Sequence, residues 1–190
     1  EMIDKDGGFY SSMDADSEGI EGKYYVWKPE EIEEILEEND ANIFNQYFDI
    51  SKTGNWEGNS IPNIIMKKSS LSILLKIPES EIVSSLEISR LKIKEHRRSR
   101  IAPGTDDKII VSWNGLMISS LAKVSAVLGD KEYFEIADKA VSFIVDKMSK
   151  KDGSLNRVYR ENVSHIDAFA EDYSYFGNAL IDMYETSFDS

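Results

Sequence analysis

Three long segments in the C-terminal half repeat apolar residues at helical spacing, and they constrain the fold more than any other feature. The first runs from about Lys108 to Leu128, with Trp113, Met117, Leu121, Val124 and Leu128 on one face and Gly129 as its stop. The second runs from about Lys131 to Ser149 and aligns Tyr133, Ala137, Ala140, Ile144 and Met148. Phe134, Val141 and Val145 widen its apolar arc, so it is expected to be buried on more than one side. The third runs from about Ala168 to Ser187 and aligns Phe169, Tyr173, Phe176, Leu180 and Met183. Between the last two, residues 153–160 alternate like a strand.

The N-terminal half adds shorter helices. Pro29 suits a first helical turn, and Glu30 and Glu31 favour the positive end of the helix dipole. Asp40 is placed to cap a second helix with Ile43, Phe44, Tyr47 and Phe48 inward. Leu71, Leu74 and Leu75 lie on a short third helix. A longer one opens at Pro78, with Ile82, Leu86, Ser89 and Ile93 on one face and Lys92, Lys94, Arg97, Arg98 and Arg100 towards its end. Phe9-Tyr10 and Tyr24–Trp27 are aromatic runs that could pair as a hairpin. Helix pairs alternating with long polar loops predict an all-α fold of antiparallel helical hairpins, an (α/α) solenoid or toroid, with short β-hairpins in its loops. Its pocket would lie at the loop ends of the inner helices.

Those loops hold the residues with chemical potential. Asp106-Asp107-Lys108 directly precedes the Trp113-Asn114-Gly115 helix, and Arg97-Arg98-Ser99-Arg100 feeds into it. Adjacent carboxylates repel unless cations offset them, so the stretch reads either as the floor of a polar cleft or as a charged first helical turn. Asp14, Asp16, Glu18 and Gly19 fit the first half of an EF-hand loop, but Tyr25 stands where the closing bidentate Glu belongs, so no metal is expected there. Trp56 and Glu57 share a second loop, and the tryptophan is either part of a sugar cleft or a loop anchor.

Composition closes several routes. The net charge of -13 argues against nucleic acid and anionic membranes as partners. Cysteine is absent and only His96 and His165 are present, so thiol chemistry and zinc are not expected, and no cofactor is implied. No basic-then-apolar leader opens the chain and no apolar run approaches about 20 residues, which makes a cytoplasmic location the expectation. The start at Glu1 reads as that of an excised piece.

In order along the chain, Gly7-Gly8-Phe9-Tyr10-Ser11-Ser12-Met13-Asp14-Ala15-Asp16-Ser17-Glu18-Gly19, Glu21–Trp27, Gly54–Gly58, Asp106-Asp107-Lys108, Trp113–Met117 and Asp172-Tyr173 resemble the signatures of one family. It is the thioredoxin-domain-containing family related to spermatogenesis-associated protein 20. The resemblance implies a thioredoxin-like domain, absent from this chain, joined to an (α/α) toroid similar to six-hairpin glycosidases and N-acylglucosamine 2-epimerases, of which this chain would be a central slice and so an incomplete toroid. Glu171 stands where that family commonly has Asp.

Two functions are expected. The first is a carbohydrate-active domain, glycosidase-like or epimerase-like, because glycoside hydrolysis needs two carboxyl groups across a cleft. Asp107, Asp172 and Asp16 are its candidate catalytic residues. Glu18, Glu21, Trp27, Trp56, Glu57, Arg98, Arg100, Asp106, Lys108, Trp113, Asn114 and Tyr173 are its candidate carbohydrate-binding residues. The second is a non-catalytic binding or scaffolding module for a thioredoxin-like domain, in which the same charges brace the loops. Helix faces of an incomplete toroid predict self-association.

Overall fold

In a computed structural model, which describes residues 2–188, the chain forms two compact units. Unit 1 comprises residues 1–13 and 105–190, and unit 2 comprises residues 14–104. In chain order the elements are β1 (Tyr10–Met13), β2 (Asp16–Ser17), β3 (Ile20–Glu21), α1 (Pro29–Ile35), α2 (Glu38–Tyr47), α3 (Lys68–Leu75) and α4 (Glu79–Arg98). They continue as β4 (Thr105–Ile110), α5 (Val111–Leu128), α6 (Lys131–Met148), β5 (Asn156–Arg160), β6 (Val163–Asp167) and α7 (Ala170–Ser187).

The all-α toroid is overturned: among the described residues the strands form a four-stranded and a two-stranded antiparallel sheet, so the fold mixes helix and sheet. The larger sheet has the order β1-β4-β5-β6 and belongs to unit 1. Its centre is residues 105–110, which the helical reading absorbed in part by starting a helix at Lys108. A short Ile-Ile-Val run has no periodicity of its own, and here pairing settles it. Ile109 pairs with Tyr10 on one side and Tyr159 on the other, and is buried. Strands β5 and β6 are joined by Glu161 and Asn162, both with positive φ (52° and 64°), as a two-residue turn that follows strand twist requires. The alternation read over residues 153–160 corresponds to β5.

Ile109, Ile118, Phe143, Ile144, Met148 and Phe176 form the core of unit 1 with Ala122, Ala137, Ala140 and Ala179. Helix α6 buries Ala137, Ala140, Ile144 and Met148 of the face its spacing predicts, but Val145 is exposed, so the wider arc is not buried throughout. Helix α5 does not bury its predicted face. It turns Val111, Ser112, Asn114, Gly115, Ile118, Ala122 and Ser125 inward, while Trp113, Met117 and Leu128 are exposed. The small face wins because α7 packs directly on it: a side chain on Gly115 would sit 2.7 Å from the Tyr175 carbonyl carbon. Helix α7 likewise buries Asp172, Phe176, Ala179 and Met183 and leaves Phe169, Tyr173 and Leu180 outward. By length and composition α5, with hydropathy 1.2, is also apolar enough to cross a membrane, a test that core helices pass as well.

Unit 2 packs α1 to α4 around Trp27, Ile32, Phe44, Leu71, Ile82 and Leu86. The α4 face predicted from spacing (Ile82, Leu86, Ser89, Ile93) is the buried one. Helix α1 starts at Pro29, and the Lys28 N–H donates to the Glu31 carboxylate (2.9 Å). Helix α2 starts before Asp40, which therefore caps nothing and accepts from the Ser85 hydroxyl instead. The aromatic hairpin also fails. Tyr10 pairs with β4, whereas Trp27 forms an isolated bridge with Ser60. The ends of unit 2 meet where the Asp14 N–H donates to the Gly104 carbonyl (2.7 Å).

Candidate functional site

The candidate residues divide between the two units. In unit 1, β5 carries two arginines that take up two of the predicted carboxylates. Arg160 Nε lies 2.8 Å from Asp107 Oδ1, on β4. Arg157 lies 2.9 Å from Asp172 Oδ2 and 2.6 Å from Glu171, and its guanidinium stacks on Phe169 at 4.8 Å. The Glu171 hydrogen bond, reinforced by the Asp172 charge, raises the Arg157 pKa.

Asp172 is 0% exposed. Its Oδ1 accepts from the Ser112 N–H (3.0 Å) in the first turn of α5, and its Oδ2 from the Phe169 N–H (2.9 Å) at the start of α7. One carboxylate thus serves the unsatisfied donors of two helices, at the positive ends of both dipoles. It has no surface to offer a substrate, which corrects its catalytic assignment.

The Trp113-Asn114-Gly115 motif resolves into three separate roles. Trp113 is 52% exposed. Asn114 is buried; its Oδ1 accepts from the Phe9 N–H (2.7 Å), and its Nδ2 donates to the Phe9 and Ile110 carbonyls (3.0 and 2.9 Å). It therefore stands in for a neighbouring strand and fastens the N-terminal segment, leaving nothing for a ligand. Gly115 admits α7. The Tyr173 hydroxyl is likewise engaged, accepting from the Leu155 N–H (3.0 Å). Asp106 pairs with Lys108 (3.0 Å), and that hydrogen bond lowers the Asp106 pKa.

What unit 1 does assemble is a polar cleft of about 220 Å³ across β1, β4 and β5 of the large sheet, lined by Asp4, Tyr10, Asp107, Tyr159, Arg160 and Asn162 among others. Tyr10 donates to Asp4 Oδ2 (3.0 Å). That hydrogen bond first, then burial and the charges of Asp4 and Asp107, raise the tyrosine pKa above its ordinary 10.0. Sequence reasoning found Asp107 but missed Asp4, Tyr159 and Arg160. Tyr159 and Arg160 were visible only as strand alternation, and pairing of β4 with β5 brings them to Asp107.

In unit 2, Arg100 acts as a clamp. It donates to the Tyr24 and Val26 carbonyls (3.2 and 2.8 Å) and to Glu31 (3.1 Å), and stacks on Trp27 at 3.8 Å. Burial lowers its pKa. Trp27, 2% exposed, is closed to a sugar face. Trp56 is the loop anchor: a side chain on Gly22 (φ 70°) would meet its ring at 3.0 Å. Glu57 is exposed in the turn beside it, with φ 47°. Asp16 and Glu21 face each other across the β2–β3 hairpin and are exposed. Glu18 pairs with Lys23 (2.6 Å), and Arg98 with Glu95 (3.2 Å). Among the described residues no group of three or more His, Asp or Glu side chains is arranged to hold a metal ion.

No family model matches the chain. It is 31% identical over 215 positions to an uncharacterized protein of Caenorhabditis elegans, which covers 96% of this chain and 29% of that protein. It is 29% identical over 222 positions to spermatogenesis-associated protein 20 of Homo sapiens, with 98% of this chain and 28% of the relative covered. The Mus musculus protein of the same name is also 29% identical, over 220 positions. The chain is therefore homologous to spermatogenesis-associated protein 20 over most of its length, and spans less than a third of these relatives. The alignments exceed the 190 residues present here, so the relatives carry insertions in the shared region.

Proposed function

We propose that this homologue of spermatogenesis-associated protein 20 contributes a carbohydrate-binding surface rather than a cleaving site, and that the polar cleft of unit 1 is where a small hydroxyl-rich ligand sits. The observation that carries this reading is the convergence of Asp4, Tyr10, Asp107, Tyr159 and Arg160 on one cleft. Carboxylates accept from vicinal hydroxyls, a guanidinium donates in a fixed fork, and tyrosine rings offer an apolar body with a polar tip.

Catalysis is the weaker reading because the predicted pair is not free. Asp107 and Asp172 are each held by a β5 arginine, and Asp172 is buried. Hydrolysis needs two carboxyl groups that both reach the scissile bond. The same pairings favour the scaffolding alternative, in which the surface serves the thioredoxin-like domain that the family resemblance implies for the whole protein.

Saturation-transfer NMR against neutral and acidic monosaccharides and disaccharides tests the reading. Binding is expected, weakened about tenfold by Asp107→Asn or Arg160→Gln, which removes one charge-assisted contact. No product should form on prolonged incubation. Turnover of any sugar would restore the enzyme reading. Absence of binding across the panel would leave the scaffold.

A further inference from the structure

The aromatic groove of unit 2 has no part in that cleft. It has a volume of about 490 Å³ and a floor that includes Trp27, Phe44 and Phe48. Ile61 and Pro62 close one side, and exposed Ile64 and Ile65 continue the apolar chain beyond them. The α4 part of the lining is basic. Arg90, Lys94 and Arg97 follow steps of four and three on α4, so they share one helix face over about 10 Å.

The lining includes no carboxylate, and among the described residues none of these three cations has a carboxylate partner. In a chain of net charge -13 that is a local reversal of sign. The helix dipole accounts for cations in the last turn, as at Arg97, but its influence does not reach Arg90 two turns earlier. Arg97 is also held in place: its guanidinium lies 5.5 and 5.4 Å from the rings of Tyr24 and Tyr25, and its Nε is buried without an acceptor.

We propose that this groove is the docking site for an extended acidic peptide segment that carries apolar anchors. The chemistry selects the occupant from both sides. The apolar floor requires anchors to fill it, and the unpaired rim requires carboxylates. Alternate residues of an extended chain lie about 7 Å apart on one face, close to the roughly 6 Å between Arg90 and Lys94 along the helix. Acidic residues at alternate positions thus meet α4 while those between them enter the groove. A polyphosphate suits the site less well, because it has no apolar anchors to fill the floor.

Fluorescence anisotropy of the full chain with a labelled peptide alternating Glu with Leu and Phe tests this. The peptide is expected to bind in a salt-sensitive manner, at least about tenfold more tightly than a poly-Glu peptide of equal charge or an alternating Lys-Leu-Phe peptide. Arg90→Gln with Lys94→Gln, both exposed, should weaken binding about tenfold with an unchanged thermal melt. Arg90→Glu with Lys94→Glu should transfer preference to the Lys peptide. Equal binding of poly-Glu, equal binding of the Lys peptide, undiminished binding by the Gln double variant, or tighter binding of a single-stranded oligonucleotide of the same charge would each overturn the proposal.

Discussion

Asp172 shows how much of unit 1 rests on one carboxylate. It accepts from α5 and α7 while fully buried, and faces Arg157, whose side chain is 20% exposed and also paired with Glu171. Removing the Asp172 carboxylate leaves the Ser112 and Phe169 N–H groups without an acceptor, at about 1–3 kcal/mol for each that stays buried, while Arg157 keeps Glu171. Asp172→Ala should therefore lower stability by about 2–4 kcal/mol in urea unfolding. Asp172→Asn, which keeps an acceptor but loses the charge, should fall between. Tyr10 offers a direct optical check of the polar cleft. Its titration, read as the absorbance difference at alkaline pH between the wild-type chain and Tyr10→Phe, should have its midpoint above 10.0. Asp4→Asn removes the principal cause of the shift and should bring that midpoint down. An unchanged midpoint would mean that the Asp4 contact is not made.

The contact between α5 and α7 depends on the absence of a side chain at Gly115. A methyl group there would approach the Tyr175 and Phe176 backbone to under 3 Å, and backbone yields little. Gly115→Ala should destabilise the chain by about 1–3 kcal/mol, the usual cost of overpacking, despite the higher helix propensity of alanine. A stabilised variant in thermal melts would mean the two helices pack further apart. This crossing also explains why the face of α5 was misread. Spacing identifies an apolar stripe, but α5 has two candidates, one of large residues and one of small. The large residues offer more area, yet only the small stripe lets two backbones approach, and Asp182 of α7 ties the choice by pairing with Lys123 (2.8 Å). The buried face of α4 follows its spacing, because Ile82, Leu86 and Ile93 form the longer apolar stripe, while the opposite face offers only Ile88 and Leu91, both exposed, between polar residues.

At the scale of the molecule, the misread stripe is left outward. Trp113, Met117, Val124 and Leu128 of that stripe are exposed, and so are Leu116 and Val127 of α5 and Ile181 and Tyr184 of α7. Exposed large apolar side chains on these two packed helices predict self-association. Sedimentation velocity should show concentration-dependent self-association, opposed by the net charge of -13 and so strengthened by salt. Leu116→Glu with Val127→Glu should shift the chain towards monomer by about tenfold in the association constant, each charge being costly to bury. A monomer at all concentrations in the wild-type chain would count against it.

The sequence by itself determined the long helices, the buried face of α4, the turn and anchor roles of the glycine- and tryptophan-bearing loops, and a homology carried by ordered motifs. These are local properties: periodicity, caps and turn residues act within a few positions of one another. Only the tertiary structure decided that residues 105–110 are the centre of a sheet, that Asp172 caps helices instead of facing a cleft, that Asn114 holds the Phe9 backbone, and that Asp107 meets Arg160. Each of those contacts joins residues more than 50 positions apart or chooses between two locally equivalent conformations. The deciding energy is the satisfaction of buried polar groups by distant partners, and one chain's local pattern does not encode which partner arrives.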